Sequence, residues 1–153
     1  MCGKFKILVV DDEEVVRRSH LRVLTNARCS VESVENGEAA LRAMEADRFD
    51  VVLLDLRMPG LDGMTVLKLI KENWPESQVI IITAYPTIET AKQALRLGAY
   101  DYLAKPVAPD EVINATHGAV IEKRWALHRD ESNQSRLAGA GLRGTQSAPA
   151  NCN

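Results

Sequence analysis

Cysteine is scarce in this sequence, which has three among its 153 residues. Cys2, Cys29 and Cys152 are odd in number and lie far apart along the chain. Because a disulfide framework or a zinc site needs paired or closely spaced cysteines, the sequence predicts neither. This cysteine usage is typical of a reducing compartment, so we expect a cytoplasmic protein.

An excess of one charge and a long apolar run are also missing. Charged residues make up 26% of the chain and the net charge is -2, which gives no case for nucleic-acid binding through a basic surface. No apolar stretch approaches the roughly 18 residues of a membrane span, and the amino terminus enters a strand-like run without a separate secretory signal. We therefore expect a protein that binds neither nucleic acid nor membrane and that is long enough for one domain.

Short apolar runs alternate with helical patterns along most of the chain. We predict strands at 5–10, 29–34, 51–54, 79–84 and 100–104, and helices at about 13–26, 37–46, 60–73, 87–97 and from 109 onward. The runs at 51–54 and 79–82 are apolar throughout, as expected of interior strands that are buried on both faces. The alternation over short connections predicts an α/β protein with a doubly wound, flavodoxin-like parallel sheet of order 2-1-3-4-5.

Apolar residues at helical spacing predict the buried face of each helix. The predicted buried residues are Val15, Val16, Ser19, Val23 and Leu24 in helix 1, and Val112, Ile113, Thr116 and Val120 in helix 5. No partner pattern surrounds His20, His117 or His128, and we treat these histidines as surface or packing residues.

The apolar periodicity ends at about residue 130, and this sets the predicted domain boundary. We place one domain at 4–127 and a flexible tail or linker at 128–153, where small and polar residues dominate and little surface can be buried. The segment 121–136 contains neither proline nor glycine, so helix 5 has room to extend to about residue 137.

Polar side chains follow four of the predicted strands at the same edge of the sheet. Asp11 and Asp12 follow strand 1, Asp55 follows strand 3, Thr83 lies at the end of strand 4, and Lys105 follows strand 5. Because parallel strands bring their carboxyl ends together, we expect these five side chains to share one shallow cleft. Crowded carboxylates suit Mg²⁺, and the lysine adds a fixed positive charge. The set predicts a phosphoryl group on Asp55, with Mg²⁺ and Lys105 neutralising its oxygens and Thr83 donating a hydrogen bond to one of them.

The sequence around this cleft resembles the receiver domain of two-component response regulators over roughly residues 4–124. The motifs that carry the resemblance are VVDDE at 9–13, LDLRMPGLDG at 54–63, ITAY at 82–85, GAYDY at 98–102 and LAKP at 103–106. The resemblance implies that Asp55 is the phosphoacceptor in a Mg²⁺-dependent reaction. It also implies that a sensor histidine kinase or a phosphotransfer protein supplies the phosphoryl group.

The resemblance further implies a set of metal ligands. Asp12, Asp55 and the backbone carbonyl of Arg57 would bind Mg²⁺ directly, and Asp11 would bind it through water. Magnesium is therefore the expected cofactor, held by oxygen atoms alone.

The remaining roles implied by the resemblance concern the phosphoryl group and the switch. Lys105 would pair with the phosphate, and Thr83 and Tyr102 would form the switch pair, the hydroxyl moving towards the phosphoryl group and the ring turning inward behind it. Arg57 and Tyr85 flank the site at positions that control how water reaches an acyl phosphate.

Aspartyl-nucleophile phosphohydrolases are the alternative class, because they also use a strand-end aspartate, Mg²⁺ and a lysine. Those phosphohydrolases carry the motif Asp-x-Asp, in which the second aspartate is the general acid. Arg57 occupies that position here and cannot do this work, and no cap domain lies between the motifs. We therefore expect a phosphoacceptor signalling domain that assists its own phosphorylation and dephosphorylation, not an enzyme.

The sequence allows two readings of how this receiver is connected to its output. The segments 83–91 and 97–103 are especially similar to receivers of the nitrogen-regulation type of enhancer-binding transcription activators, which carry ATPase and DNA-binding domains downstream. Neither domain fits after helix 5, so we expect a stand-alone receiver, and the alternative is a fragment of a longer regulator. The expected switching surface is helix 4, strand 5 and helix 5, including Gln93, Arg96 and Tyr100. Its output partner is unknown, and the chain is either a monomer or a phosphorylation-linked dimer.

Overall fold

Alternating strands and helices build the protein in the computed structural model, which describes residues 5–26 and 28–123. The strands are β1 (Phe5–Val10), β2 (Cys29–Val34), β3 (Val51–Asp55), β4 (Gln78–Thr83) and β5 (Asp101–Ala104). The helices are α1 (Glu14–Leu24), α2 (Gly37–Ala46), α3 (Gly63–Asn73) and α4 (Ile88–Arg96), followed by α5, which covers 109–123 of the described residues. The predicted boundary at 127, the tail at 128–153 and the extension of helix 5 to about 137 lie outside the described residues.

The described strands form one parallel sheet in the order β2-β1-β3-β4-β5, which confirms the predicted topology. All residues of β3 and β4 are buried. Burying one Leu or Ile side chain is worth about 2 kcal/mol, so these two strands supply much of the core. The register pairs Val10 with Leu54 and Asp55 with Ile82, so the strands end close together at one edge. That edge receives the loops that carry the polar residues.

The helices cover both faces of the sheet. One apolar cluster contains Ala40 and Met44 of α2, Leu67 of α3 and Ala94 of α4 together with one set of strand residues. The other cluster joins the remaining face of the sheet to Leu24 of α1 and to Val112, Ala119 and Val120 of α5. The sheet is therefore doubly wound, as the sequence predicts. None of the helices in the described residues is long and apolar enough to cross a membrane.

The predicted buried face of α1 was wrong in part. Val15 is 80% exposed and Ser19 is exposed, whereas His20 is buried, in line with the packing role that was one of two options for it. The inward positions are Val16, His20 and Leu24, which follow one another at intervals of four residues along one side of the helix. In α5, Ile113 is also exposed, and Ala119 is buried instead. A valine or isoleucine at one of these helix positions therefore does not show that the position faces the core.

Candidate functional site

Three carboxylates meet at the carboxyl edge of the sheet. Oxygen atoms of Asp11, Asp12 and Asp55 all lie within 4.8 Å of one another. Asp11 and Asp55 are buried, with 3% and 5% exposure, and Asp12 is exposed. β1 and β3 are neighbouring strands, so the loop after β1 and the last residue of β3 deliver these groups to one place. The set offers only oxygen ligands in a partly open site, which is the donor chemistry that suits Mg²⁺.

Lys105 is the cation of this cluster, and it arrives from the loop after β5. Its Nζ lies 2.9 Å from Asp11 Oδ2, 3.3 Å from Asp55 Oδ2 and 3.4 Å from Glu13 Oε1. Although burial by itself disfavours the charge, the hydrogen bond and charge of Asp11, followed by those of Asp55, raise the pKa of Lys105 above its ordinary value. Lys105 is therefore held in its charged form beside two buried carboxylates. The contact with Glu13 was not predicted, since acids before a helix are equally explained by the helix dipole.

The Asp55 carboxyl is less acidic than an ordinary aspartate. Burial raises its pKa, and the charge of Asp11 raises it further, against the opposing effects of the Arg57 N–H and Lys105. The Arg57 N–H donates to Asp55 Oδ1 at 3.1 Å, and Oδ2 faces Lys105. A single lysine thus leaves part of the negative charge at this site uncompensated. A divalent cation among the carboxylates would supply the missing charge, so the residues present fit Mg²⁺.

The loop from β3 to α3 is held against the site by a close approach of backbone to backbone. A Cβ on Gly63 would meet Leu56 Cα at 2.5 Å and the Asp55 carbonyl oxygen at 2.6 Å. Asp62 caps α3 by accepting hydrogen bonds from the backbone N–H groups of Met64 at 2.9 Å and Thr65 at 3.1 Å. These bonds lower the pKa of the Asp62 carboxyl, and the bond from Thr65 has the largest effect. The predicted helix at about 60–73 gave Gly63 no special role, whereas its lack of a side chain lets α3 begin directly beside Asp55.

Thr83 and Tyr102, the predicted switch pair, are each hydrogen-bonded to groups at the start of α4 or in the loop before it. Thr83 is 1% exposed, and its Oγ1 accepts a hydrogen bond from the Tyr85 N–H at 3.1 Å. Its own O–H remains able to donate. Tyr102 is half-buried, and its hydroxyl shares a 2.6 Å hydrogen bond with Thr90 Oγ1 and accepts from the Thr87 N–H at 3.3 Å. The ring of Tyr102 is therefore tied to the first turn of α4, a contact that no motif in the sequence signalled.

The side chains of Arg57 and Tyr85 stack on each other. The guanidinium carbon of Arg57 lies 4.4 Å from the centre of the Tyr85 ring, within cation–π range. Both residues line a cavity of about 260 Å³ between the β3–α3 loop and the start of α4, and Thr83 lines it as well. The sequence predicted that both residues flank the site, whereas the stacking depends on the two loops meeting in space.

Comparisons with known proteins identify the family of this chain. The family described as "Response regulator receiver domain" matches residues 7–117. The DNA-binding transcriptional regulator NtrC of Escherichia coli (strain K12) is 39% identical over 130 residues, which are 85% of this chain and 26% of that protein. The chain thus spans about a quarter of the length of such relatives. The receiver resemblance, including its similarity to nitrogen-regulation activators, is thereby confirmed.

Solved structures give the same result. NtrX from Brucella abortus, in complex with ADP, matches with a TM-score of 0.77 and 33% identity over 86% of this chain and 30% of that chain. A CheY-like receiver domain protein from Methanospirillum hungatei matches with a TM-score of 0.78 and 25% identity over 81% of this chain and 99% of that chain. The fold, the cluster of acids and the sequence match converge on one assignment: the chain belongs to the response regulator receiver domain family, whose members are phosphoacceptor domains in two-component signalling.

Proposed function

We propose that this chain accepts a phosphoryl group on Asp55 from a sensor histidine kinase or a phosphotransfer protein. The observation that carries the proposal is the contact of Lys105 with both Asp55 and Asp11, inside a cluster of three carboxylates. A half-buried lysine and room for a cation around one carboxylate are what an acyl phosphate needs. An aspartyl-nucleophile phosphohydrolase would need a general acid two residues after its nucleophile, and Arg57 occupies that position here.

The positions of these groups support the following route of transfer. Asp55 Oδ2 attacks phosphorus, a P–O bond forms, and the P–N bond of the donor phosphohistidine breaks with its electron pair passing to the imidazole nitrogen. The Arg57 N–H holds Oδ1 and so orients the carboxylate. Lys105 then exchanges its contact with Asp11 for one with a phosphoryl oxygen. Bound Mg²⁺ would be held by Asp12, Asp55 and the Arg57 carbonyl, with Asp11 acting through water, and would neutralise charge on the phosphoryl oxygens.

The phosphoryl group is proposed to act on the surface formed by α4, β5 and α5. Thr83 would donate to the phosphoryl group, and Tyr102 would leave α4 and turn inward. Its hydroxyl is hydrogen-bonded to Thr90 and Thr87 in the first turn of α4, so this movement would break two bonds there. The exposed side of α4 carries Ile88 and Leu95, seven residues apart, which suits contact with a partner protein. Phosphorylation would therefore be read as a change at the start of α4.

Replacing Tyr102 by phenylalanine is expected to loosen the first turn of α4 without preventing phosphorylation. The Tyr102 hydroxyl accepts from the Thr87 N–H, and one hydrogen bond is worth roughly 0.5–1.5 kcal/mol, so exchange of the Thr87 amide hydrogen should be about threefold to tenfold faster. Hydrogen exchange monitored by NMR measures this change. Tyr100→Phe is the matched control, because that hydroxyl lies against Gly118 of α5. Unchanged exchange at α4 in Tyr102→Phe would contradict the link between ring and helix.

We infer that the chain is the receiver part of a longer transcription regulator that acts in the cytoplasm, as a monomer or as a phosphorylation-linked dimer. The length of the relatives supports this inference, since NtrC is about four times as long as the matched segment.

The experiment that tests the proposed function is intact-protein mass spectrometry after incubation with a small acyl-phosphate donor. The expected result is a gain of one phosphoryl group that requires Mg²⁺ and is suppressed by a chelator. Peptide mapping after borohydride reduction should place the modification at Asp55. A folded protein that gains no phosphoryl group from this donor or from a panel of histidine kinases would overturn the proposal.

A further inference from the structure

Arg17 makes an unusual contact for a helix residue beside an acidic site. It lies one turn into α1 and is half-buried, and its Nη1 donates to the backbone carbonyl oxygen of Asp11 at 2.7 Å. That carbonyl belongs to the peptide that joins Asp11 to Asp12. The same loop is held by two further bonds: the Asp11 N–H donates to the Val34 carbonyl at 3.2 Å, and the Glu13 N–H donates to Asp11 Oδ1 at 2.9 Å.

Asp12 depends on this backbone for its position. Asp11 is buried and paired with Lys105, whereas Asp12 is exposed. Among the described residues, none pairs with or donates a hydrogen bond to the Asp12 carboxylate. Its place beside Asp55 is therefore set by the path of the main chain, and the bond from Arg17 fixes the peptide directly before it.

We propose that Arg17 is a positioning residue for the metal site, acting through the Asp11–Asp12 peptide. The inference rests on the proposed function, since it concerns Mg²⁺ at that same site. Arg17 supplies the carbonyl with a charge-assisted hydrogen bond and thereby holds Asp12 within reach of the cation that Asp55 also binds. Residues that orient metal ligands commonly change metal affinity by about 10- to 100-fold when they are replaced.

A positioning role and a purely electrostatic role predict opposite changes in Mg²⁺ affinity when Arg17 is replaced. If the guanidinium acted only through its charge, removing it would relieve repulsion of Mg²⁺ and binding would tighten. If it acts by holding the loop, removing it weakens binding. Lysine in its place keeps the charge but loses the planar fork and the reach to the Asp11 carbonyl. Arg17→Lys should therefore also bind Mg²⁺ more weakly than the parent chain.

The test is isothermal titration of the whole chain with MgCl₂, at a temperature where unfolding experiments show each variant to be folded. The Kd for Mg²⁺ should rise roughly tenfold in Arg17→Met and severalfold in Arg17→Lys. Arg18→Met is the matched control, because the neighbouring Arg18 pairs with Glu14 at 2.9 Å on the exposed side of α1. Its Kd should stay within about twofold of the parent value.

A double-mutant cycle separates positioning from general loosening of the fold. In an Asp12→Asn background, Arg17→Met should have little further effect on the Kd, because the ligand that Arg17 holds is already lost. Unchanged or tighter Mg²⁺ binding in Arg17→Met overturns the inference and leaves the proposed function intact. Failure of the parent chain to bind Mg²⁺ overturns both. If Arg17→Met does not fold, Arg17→Lys decides, and an unchanged Kd there overturns the positioning role.

Discussion

Replacing Asp55 by asparagine is expected to abolish phosphoryl acceptance. The asparagine amide has nearly the same shape as the carboxylate and can still accept the hydrogen bond from the Arg57 N–H, now 3.1 Å from Asp55 Oδ1. It is not a nucleophile towards phosphorus, because the amide lone pair is delocalised and the negative charge is gone. The chain should therefore fold and show no Mg²⁺-dependent mass gain with an acyl-phosphate donor. The measurement is the intact mass of parent and variant under the same conditions.

Asp50 provides the matched control for this substitution. It precedes the same strand at the opposite end, where its oxygens accept hydrogen bonds from the Lys6 N–H at 2.8 Å and from Lys123 Nζ at 2.6 Å. Asp50→Asn removes one carboxylate at a distance from the cluster, so phosphoryl acceptance should persist. An Asp55→Asn variant that still gains a phosphoryl group at the parent rate would show that another residue is the acceptor.

Replacing Lys105 by methionine is expected to slow phosphorylation strongly. The methionine keeps most of the side-chain volume and loses the charge that stands 3.3 Å from Asp55 Oδ2. Fixed charges aimed at developing negative charge commonly contribute about 100- to 1,000-fold to a rate, or about 3–4 kcal/mol of activation free energy. The rate of phosphorylation should fall by this factor, as measured by mass spectrometry over a time course.

Binding of Mg²⁺ should respond to the same substitution in the opposite direction. Lys105 is paired with Asp11 and Asp55, so its removal frees two carboxylates for the cation and takes away a like charge. The Kd for Mg²⁺ should therefore be equal or lower in Lys105→Met. Lys68→Met, on the exposed side of α3, should change neither quantity. Slow phosphorylation together with weaker Mg²⁺ binding would mean that Lys105 organises the metal site instead of stabilising the phosphoryl group.

Much of the candidate site was predictable because each of its residues lies at the end of a strand that the local sequence pattern identifies. Apolar runs identify β3 and β4, and Asp55 and Thr83 lie at their carboxyl ends. Parallel topology then requires the strand ends to meet. Asp11 and Lys105 were predicted on the same grounds, and the structure brings both to Asp55. Their roles in phosphoryl transfer stay predictions, which the substitutions above examine.

The contacts around the site were not predictable, because they depend on the phase of helices and on loops from separate strands. The buried side of α1 is defined by His20 and not by Val15, since only packing against the sheet decides which side of an amphipathic helix turns inward. Tyr102 meets Thr90 because β5 lies beside the start of α4. Such pairs are distant in sequence and carry no motif of their own.

The order of strands and the residues at their ends were thus determined by the sequence alone, because hydrophobic periodicity and turn residues act over short distances. Tertiary structure alone decided what surrounds those residues. Only the close approach of α3 to β3 explains why position 63 has no room for a Cβ, and only the turn of α1 brings Arg17 to the Asp11 carbonyl. The physical reason is that local sequence decides which segments become helices or strands. The packing distances and hydrogen-bond directions between those segments are set only when the segments contact one another.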